Sequence, residues 1–252
     1  QAVHVYDAGR HTFKWSKSVV DGLRASARQN ETSPTAVALA VFKLLLHRYA
    51  QQPEIVIGTR ADNRRQEGTE SVIGPVSNLV VLRSTLTDDM TLAELIAQTS
   101  RIHREASDHQ EMPFDSLVQV LNPAKDMSRT ALFDVLATVQ ETPYPELDGG
   151  AAGSLCRMDL NLGHGKYDLA LHLEFTRDDE IAGTLTYNTT LYDEAFVAQM
   201  IRHFSALVET AEQNLQTPIA DIPLLTAAEK FQQITTFNDT AAEAPRNQTL
   251  VN

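Results

Sequence analysis

Apolar residues recur along this chain at helical and at strand spacings, and each spacing marks a different kind of element. The densest run is SPTAVALAVFKLLLHRYA, residues 33–50, apolar almost all round, which predicts a helix buried on every side. Ser33 fits its N-cap and Pro34 its first turn, where a missing N–H costs nothing. Lys43 and His47 interrupt the run too early for a bilayer span, which needs about 20 apolar residues. Ahead of it, SKSVVDGLRASARQN sets Val19, Val20 and Leu23 on one helical face, with Ser16 as cap. DDMTLAELIAQTSRIHREASDH predicts a third helix, in which Thr91 and Glu94 form a capping box and Leu92, Leu95, Ile96 and Ile102 make the stripe. PFDSLVQVL predicts a shorter helix begun by Pro113. DEAFVAQMIRHFSALVETAEQNL predicts a long one capped by Asp193.

Between the helices the spacing changes. PEIVIGTRA and SNLVVLRSTL carry short β-branched runs and predict strands, and TALFDVLATVQ is a further strand candidate. In YDLALHLEFT, Leu169, Leu171 and Leu173 alternate with Ala170, His172 and Glu174, giving one core face and one wetter face. The turn RDDE joins it to IAGTLTYNTT as a hairpin. The first residues, QAVHVYDAGR, read as a strand already under way. DNRRQEGTES is turn-like, and PYPELDGGAAG is the strongest loop signal in the chain. Periodicity fades from Pro223, and residues 226–252 read as a linker after a folded unit over 1–225. No internal repeat and no regular βαβ spacing is present. The pattern therefore predicts an α/β fold of the α+β type, a two-layer sandwich with a mixed sheet.

Composition narrows the function. With 252 residues, 42% of them hydrophobic, the chain has enough apolar material for one large core or two small ones. Its 21 basic and 33 acidic side chains leave a net charge of −12, which repels phosphate backbones and anionic lipid and argues against nucleic-acid and membrane partners. The single cysteine, Cys156, rules out an internal disulfide and a CxxC zinc site; it reads as a small apolar filler in a reducing cytoplasm. The N-terminus is neither a signal nor a transit peptide. It lacks a starting methionine, so the chain reads as a piece of something longer.

Most catalytic signatures are missing. There is no GxGxxG, Walker loop, HExxH or GxSxG elbow. His103 and His109 are poorly spaced to share a helical face, so no metal is expected. His109 near Asp115 has two readings: a general base with its orienting acid, or a helix-terminal pair around Pro113, with the acid on the positive end of the next helix. His47, late in its helix, fits a carbonyl cap. Arg129 stands just before an apolar strand. Burying it unpaired is costly, so it reaches solvent or meets an acid. Asp126, Asp134, a remote acid and a group outside the chain are all candidates.

At these same residues the sequence resembles a known family. HQEMPFDSLV followed by KDMSRTALFDV resembles HQxxPFExLV and RDxSRxPLFxV, two successive motifs of nonribosomal peptide synthetase condensation domains. PEIVIGTRADNR is similar to DIVIGTPxANR, and IGPVSNLVVLR to IGxFVNxLVLR. YDLALHL and GTLTYNTTLYDE resemble the family's last strands, and FNDTAAEAPRNQTLV its linker into an adenylation domain. The resemblance covers nearly the whole chain in family order. Four positions depart from the pattern: Val76 and Ser77 replace Phe-Val, Ala131 replaces proline, and Lys125 replaces arginine.

The resemblance implies a chloramphenicol-acetyltransferase-like lobe. Such domains have two lobes, and the catalytic HHxxxDG lies at the end of the first. No HH pair occurs here, so the resemblance implies a C-terminal lobe without catalytic residues of its own. Arg129 would then pair with the aspartate of the missing motif and support the catalytic loop. Gly74, Pro75, Val76, Ser77 and Asn78 would form the floor of the substrate tunnel. His109, Pro113, Phe114 and Asp115 would serve packing and capping. The intact domain would join an acyl or peptidyl thioester to an amine, both carried on the phosphopantetheine of carrier proteins, with no cofactor bound directly. The implied partners are the N-terminal lobe, upstream and downstream peptidyl carrier proteins and a following adenylation domain. The exposed lobe face would also favour self-association. A free-standing, non-catalytic docking module is the alternative. A self-contained acyltransferase is a weaker third reading, because His103 and Asp108 miss the HxxxD spacing by one residue.

Overall fold

The computed structural model describes residues 3–64, 68–69, 72–124, 126–142, 147–148, 154–155 and 163–240. Cys156, Lys125, most of PYPELDGGAAG and the last twelve residues lie outside the described residues. Two compact units divide at residue 222: Gln1–Ile222 and Pro223–Asn252.

In the first unit the elements run β1 (Ala8–Trp15), α1 (Lys17–Gln29), α2 (Pro34–Ala50), β2 (Glu54–Ala61), β3 (Asn78–Thr85), α3 (Leu92–Asp108), α4 (Phe114–Leu121), β4 (Val135–Gln140), β5 (Leu147–Asp148), β6 (Ser154–Leu155), β7 (Leu169–Phe175), β8 (Ile181–Asn188) and α5 (Glu194–Glu209). Six strands form one sheet in the order β1-β8-β7-β4-β2-β3, while β5 and β6 pair separately. β4 runs parallel to both β7 and β2, and the remaining neighbours are antiparallel, so the sheet is mixed. β2 and β4 meet through one pair only, Gly58 opposite Leu136.

Strand alternation places the core. Leu169, Leu171, Leu173 and Phe175 are buried on one face, matched across the register by Ile181, Leu185 and Tyr187. The helices cover that face, with α2 at their centre in contact with α1, α3 and α5. α2 is buried from Ala36 through His47, as an all-round apolar helix must be. Ser33 accepts from the amide of Ala36, and Gln51 closes the helix in a left-handed conformation. Arg48, at its end, donates to the carbonyls of Ile219, Ala220 and Ile222 at 3.0 Å each. Among the described residues no helix is long and apolar enough to cross a membrane.

The cap geometry follows the sequence at α3, where Thr91 and Glu94 form a reciprocal box, and at α5, where Asp193 accepts from Phe196 at 2.7 Å. Ser16 differs: its hydroxyl pairs with Ser18 at 2.9 Å and makes no cap bond. Three boundaries also differ from the sequence pattern. The first strand begins at Ala8, not at the terminus. β4 begins at Val135, because the preceding residues turn through Leu132, whose φ is 70°. α5 ends at Glu209, although Ala211 and Leu215 remain buried, because they pack from a turn.

The second unit holds α6 (Ala227–Phe231) and a π turn over Gln232–Thr236. Thr226 and Glu229 form a capping box there, a structured start to the linker-like tail.

Candidate functional site

The motif residues converge where α4, the 127–134 turn, the N-terminal segment and the loop before β7 meet. Phe133 anchors this region. The backward turn at Leu132 lays its ring on Gly58, and a Cβ on that glycine would come within 2.1 Å of the ring. Glycine at this position is therefore a close-approach residue. The ring packs edge-on to Phe114 at 5.5 Å and stacks on Tyr167 at 5.4 Å. This trio walls a cleft of about 440 Å³ whose lining includes His4, Tyr6, Asp115, Arg129 and Lys166.

Arg129 stands at the rim with its side chain 70% exposed. Its Nη1 lies 3.8 Å from Oδ2 of Asp134, an ion-pair distance too long for a hydrogen bond. The other oxygen of Asp134 is occupied by the amide and hydroxyl of Thr130, at 3.0 and 3.1 Å. Asp126 takes the amide and hydroxyl of Ser128. Those bonds, with Arg129 nearby, hold its carboxyl below the usual range. Behind the rim, burial and then the charge of Asp134 push the carboxyl of Asp168 up, against the opposing pull of His4, Asn188 and Arg129. Arg129 thus faces three acids, two of them near in sequence and one remote.

The structure separates the other sequence candidates. Phe114 and Asp115 line the cleft, and Pro113 is the N-cap of α4. His109 is the exposed C-cap of α3 and does not line it. Gly74, Pro75, Val76 and Ser77 form a mostly exposed segment leading into β3. Asn78 ties that segment down by donating to the carbonyls of Gln110 and Met112 and accepting from the amide of Phe114. His47 bonds the carbonyl of Gln52 at 2.7 Å, a residue beyond the C-cap of α2 and not one of the helix carbonyls it was expected to cap. Among the described residues no three His, Cys, Asp or Glu side chains cluster to hold a metal.

Sequence reasoning missed His4, Tyr6 and Tyr167 as cleft residues. Nothing in local spacing marks them, because β pairing brings them together. It also missed a second, polar cleft of about 500 Å³ where β2 and β4 diverge, lined by His103, His172 and Glu141 among others. Burial and the nearby Lys43 lower the pKa of His103 there.

Residues 1–234 match the family described as Condensation domain. The chain is 32% identical over 248 residues to Gramicidin S synthase 2 of Brevibacillus brevis, a match that covers 97% of this chain and 6% of that synthase. The chain therefore spans a small fraction of that relative's length. The fold superimposes on a four-domain nonribosomal peptide synthetase, holo-AB3403, with TM-score 0.82 and 20% identity, over 91% of this chain and 18% of the other. It also superimposes on the X-domain of teicoplanin biosynthesis, solved in complex with OxyB. There the TM-score is 0.79 at 23% identity, over 90% of this chain and 50% of that one.

Proposed function

Because the chain belongs to the condensation-domain family, we propose that it is the C-terminal lobe of a nonribosomal peptide synthetase condensation domain. The observation that carries the reading is coverage. The chain aligns over nine-tenths of its length with only 50% of a solved chain of this fold, and it contains no adjacent histidine pair. In this reading residues 1–225 are the lobe and 226–252 lead toward an adenylation domain.

The missing lobe would bring HHxxxDG to the Arg129 cleft, where its aspartate would replace the loose 3.8 Å contact to Asp134 with a close, charge-assisted pair. Arg129 then holds the catalytic loop in place and does not touch substrate. Gly74 to Asn78 would floor the tunnel, with Asn78 fixing that segment to the α3–α4 loop. His109, Pro113, Phe114 and Asp115 would pack and cap around it. The joined lobes would align a carrier-bound acyl or peptidyl thioester with a carrier-bound amine; each substrate rides on phosphopantetheine, and no cofactor is held by this chain. A thioester is already activated, so proximity and oxyanion stabilisation would supply most of the rate. Proximity alone can contribute about 7–11 kcal/mol.

A second reading has its own support. The X-domain shares this fold and is solved in complex with OxyB, so a non-catalytic module that docks a carrier or another protein fits the same architecture. Amide formation separates the two. The purified chain is mixed with a thioester-loaded donor carrier and an aminoacyl-loaded acceptor carrier, alone and with an N-terminal lobe carrying HHxxxDG. The lobe reading expects product only with the added lobe. Product from the chain alone would overturn it, and no product in either mixture would favour the docking module.

A further inference from the structure

One group in the Arg129 cleft has no role in the reading above. His4 lines the cleft, yet it is only 8% exposed, and both of its ring nitrogens are buried without a hydrogen-bond partner among the described residues. The backbone that carries this histidine is held in place. Its amide donates to the carbonyl of Met127 at 2.7 Å, and the next two carbonyls, of Val5 and Tyr6, accept from Asn188 and Gly165 at 2.9 Å each. Tyr6 packs edge-on against it at 4.8 Å. Among the described residues its nearest acid is Asp168, with Oδ1 3.9 Å from Nδ1, too long for a hydrogen bond. Native interiors rarely leave a buried polar group unsatisfied, and such a group marks a place where something else completes the bond. Nδ1 is the nitrogen nearer Asp168, which leaves Nε2 as the ring donor for another partner.

We propose that His4 is a second anchor for the loop received by Arg129, donating from its imidazole to an acceptor on that loop. This rests on the Arg129 reading. His4 and Arg129 line one cleft and both bear on the carboxylate of Asp168. Burial and Asp134 already make negative charge costly at Asp168, so an arriving carboxylate needs more than one donor beside it. Arg129 supplies that donor from an exposed side chain and His4 from a buried one. His4 is a positioning residue here, since it acts on the loop and not on substrate.

The test titrates an acetylated, amidated peptide, HHAAADG, into the full chain labelled with ¹⁵N in its histidines. Ring nitrogens are read by long-range ¹H–¹⁵N NMR, and the unlabelled peptide stays silent. Binding is expected to shift the His4 ring signals and slow exchange of one ring N–H. His4→Phe keeps the ring and its contact with Tyr6, and is expected to lower affinity about tenfold. His4→Gln, which restores a donor near the position of Nε2, recovers most of that loss. Near-ultraviolet circular dichroism checks that both variants fold; if His4→Phe does not, the wild-type ring signals and His4→Gln decide. Binding that needs Arg129 and the peptide's aspartate, with unmoved His4 signals, overturns the role of His4 alone. Binding indifferent to Arg129→Ala and to asparagine in place of that aspartate, or no binding at millimolar peptide, overturns the reading on which it rests.

Discussion

Lys43 sits at the centre of α2 with no exposure, and among the described residues its ammonium bonds the hydroxyl of Ser84 at 2.8 Å. Burial lowers its pKa from 10.5 to about 8. Each pKa unit corresponds to about 1.4 kcal/mol of preference between protonation states, so folding with a charged Lys43 costs about 3 kcal/mol. The folded pKa is the lower one. Below about pH 8 both states are protonated and the full penalty is present. Between about 8 and 10.5 the unfolded chain binds more protons, so stability rises with pH through that window. Replacing Lys43 alone would leave the hydroxyl of Ser84 buried and unpaired, which costs about 1–3 kcal/mol. The double variant Lys43→Met with Ser84→Ala avoids that and fills similar volume. It is expected to be more stable at pH 7 by about 2–3 kcal/mol, and its advantage should shrink toward zero by pH 10.5. Urea melts from pH 7 to 10.5, followed through the buried Trp15, measure both quantities. An advantage that stays constant across the series would refute the charge argument, because it would then be a packing effect.

Three other outcomes are expected. Gly58→Ala pushes into the Phe133 ring and should destabilise by about 1–3 kcal/mol; adding Phe133→Ala should recover part of that loss in a double-mutant cycle of urea melts. Arg129→Ala should change the unfolding free energy by no more than about 0.5 kcal/mol, since its side chain is mostly exposed, while abolishing amide formation in the two-lobe mixture; a large loss of stability would make it a local fold residue instead. Asp193→Ala should cost about 1 kcal/mol and Ser16→Ala much less, because only the first makes its cap bond, and equal losses would contradict that geometry.

The helices were legible because caps and stripes are local. Ser33, Thr91 and Asp193 each bond an amide three residues on, so the signal and its cause share one turn. The β7–β8 hairpin was legible for the same reason. The start of β4 was not, because Leu132 turns back to set Phe133 on Gly58, a residue remote in sequence. The capping box at Thr226 was present as T-x-x-E but lacked an apolar run behind it, so the short α6 went unread. At the cleft, Asp126 and Asp134 were visible beside Arg129, whereas Asp168 was not. His4 was invisible for a plainer reason: its neighbours Met127 and Asp168 arrive through the sheet, and no spacing rule reaches that far.

The most direct test of the central claim is the sequence of the natural transcript immediately upstream of the codon for Gln1. The account expects an open reading frame encoding a matching lobe that ends in HHxxxDG, which gives Arg129 its aspartate. A start codon directly before Gln1 would contradict it and leave the docking module as the better account.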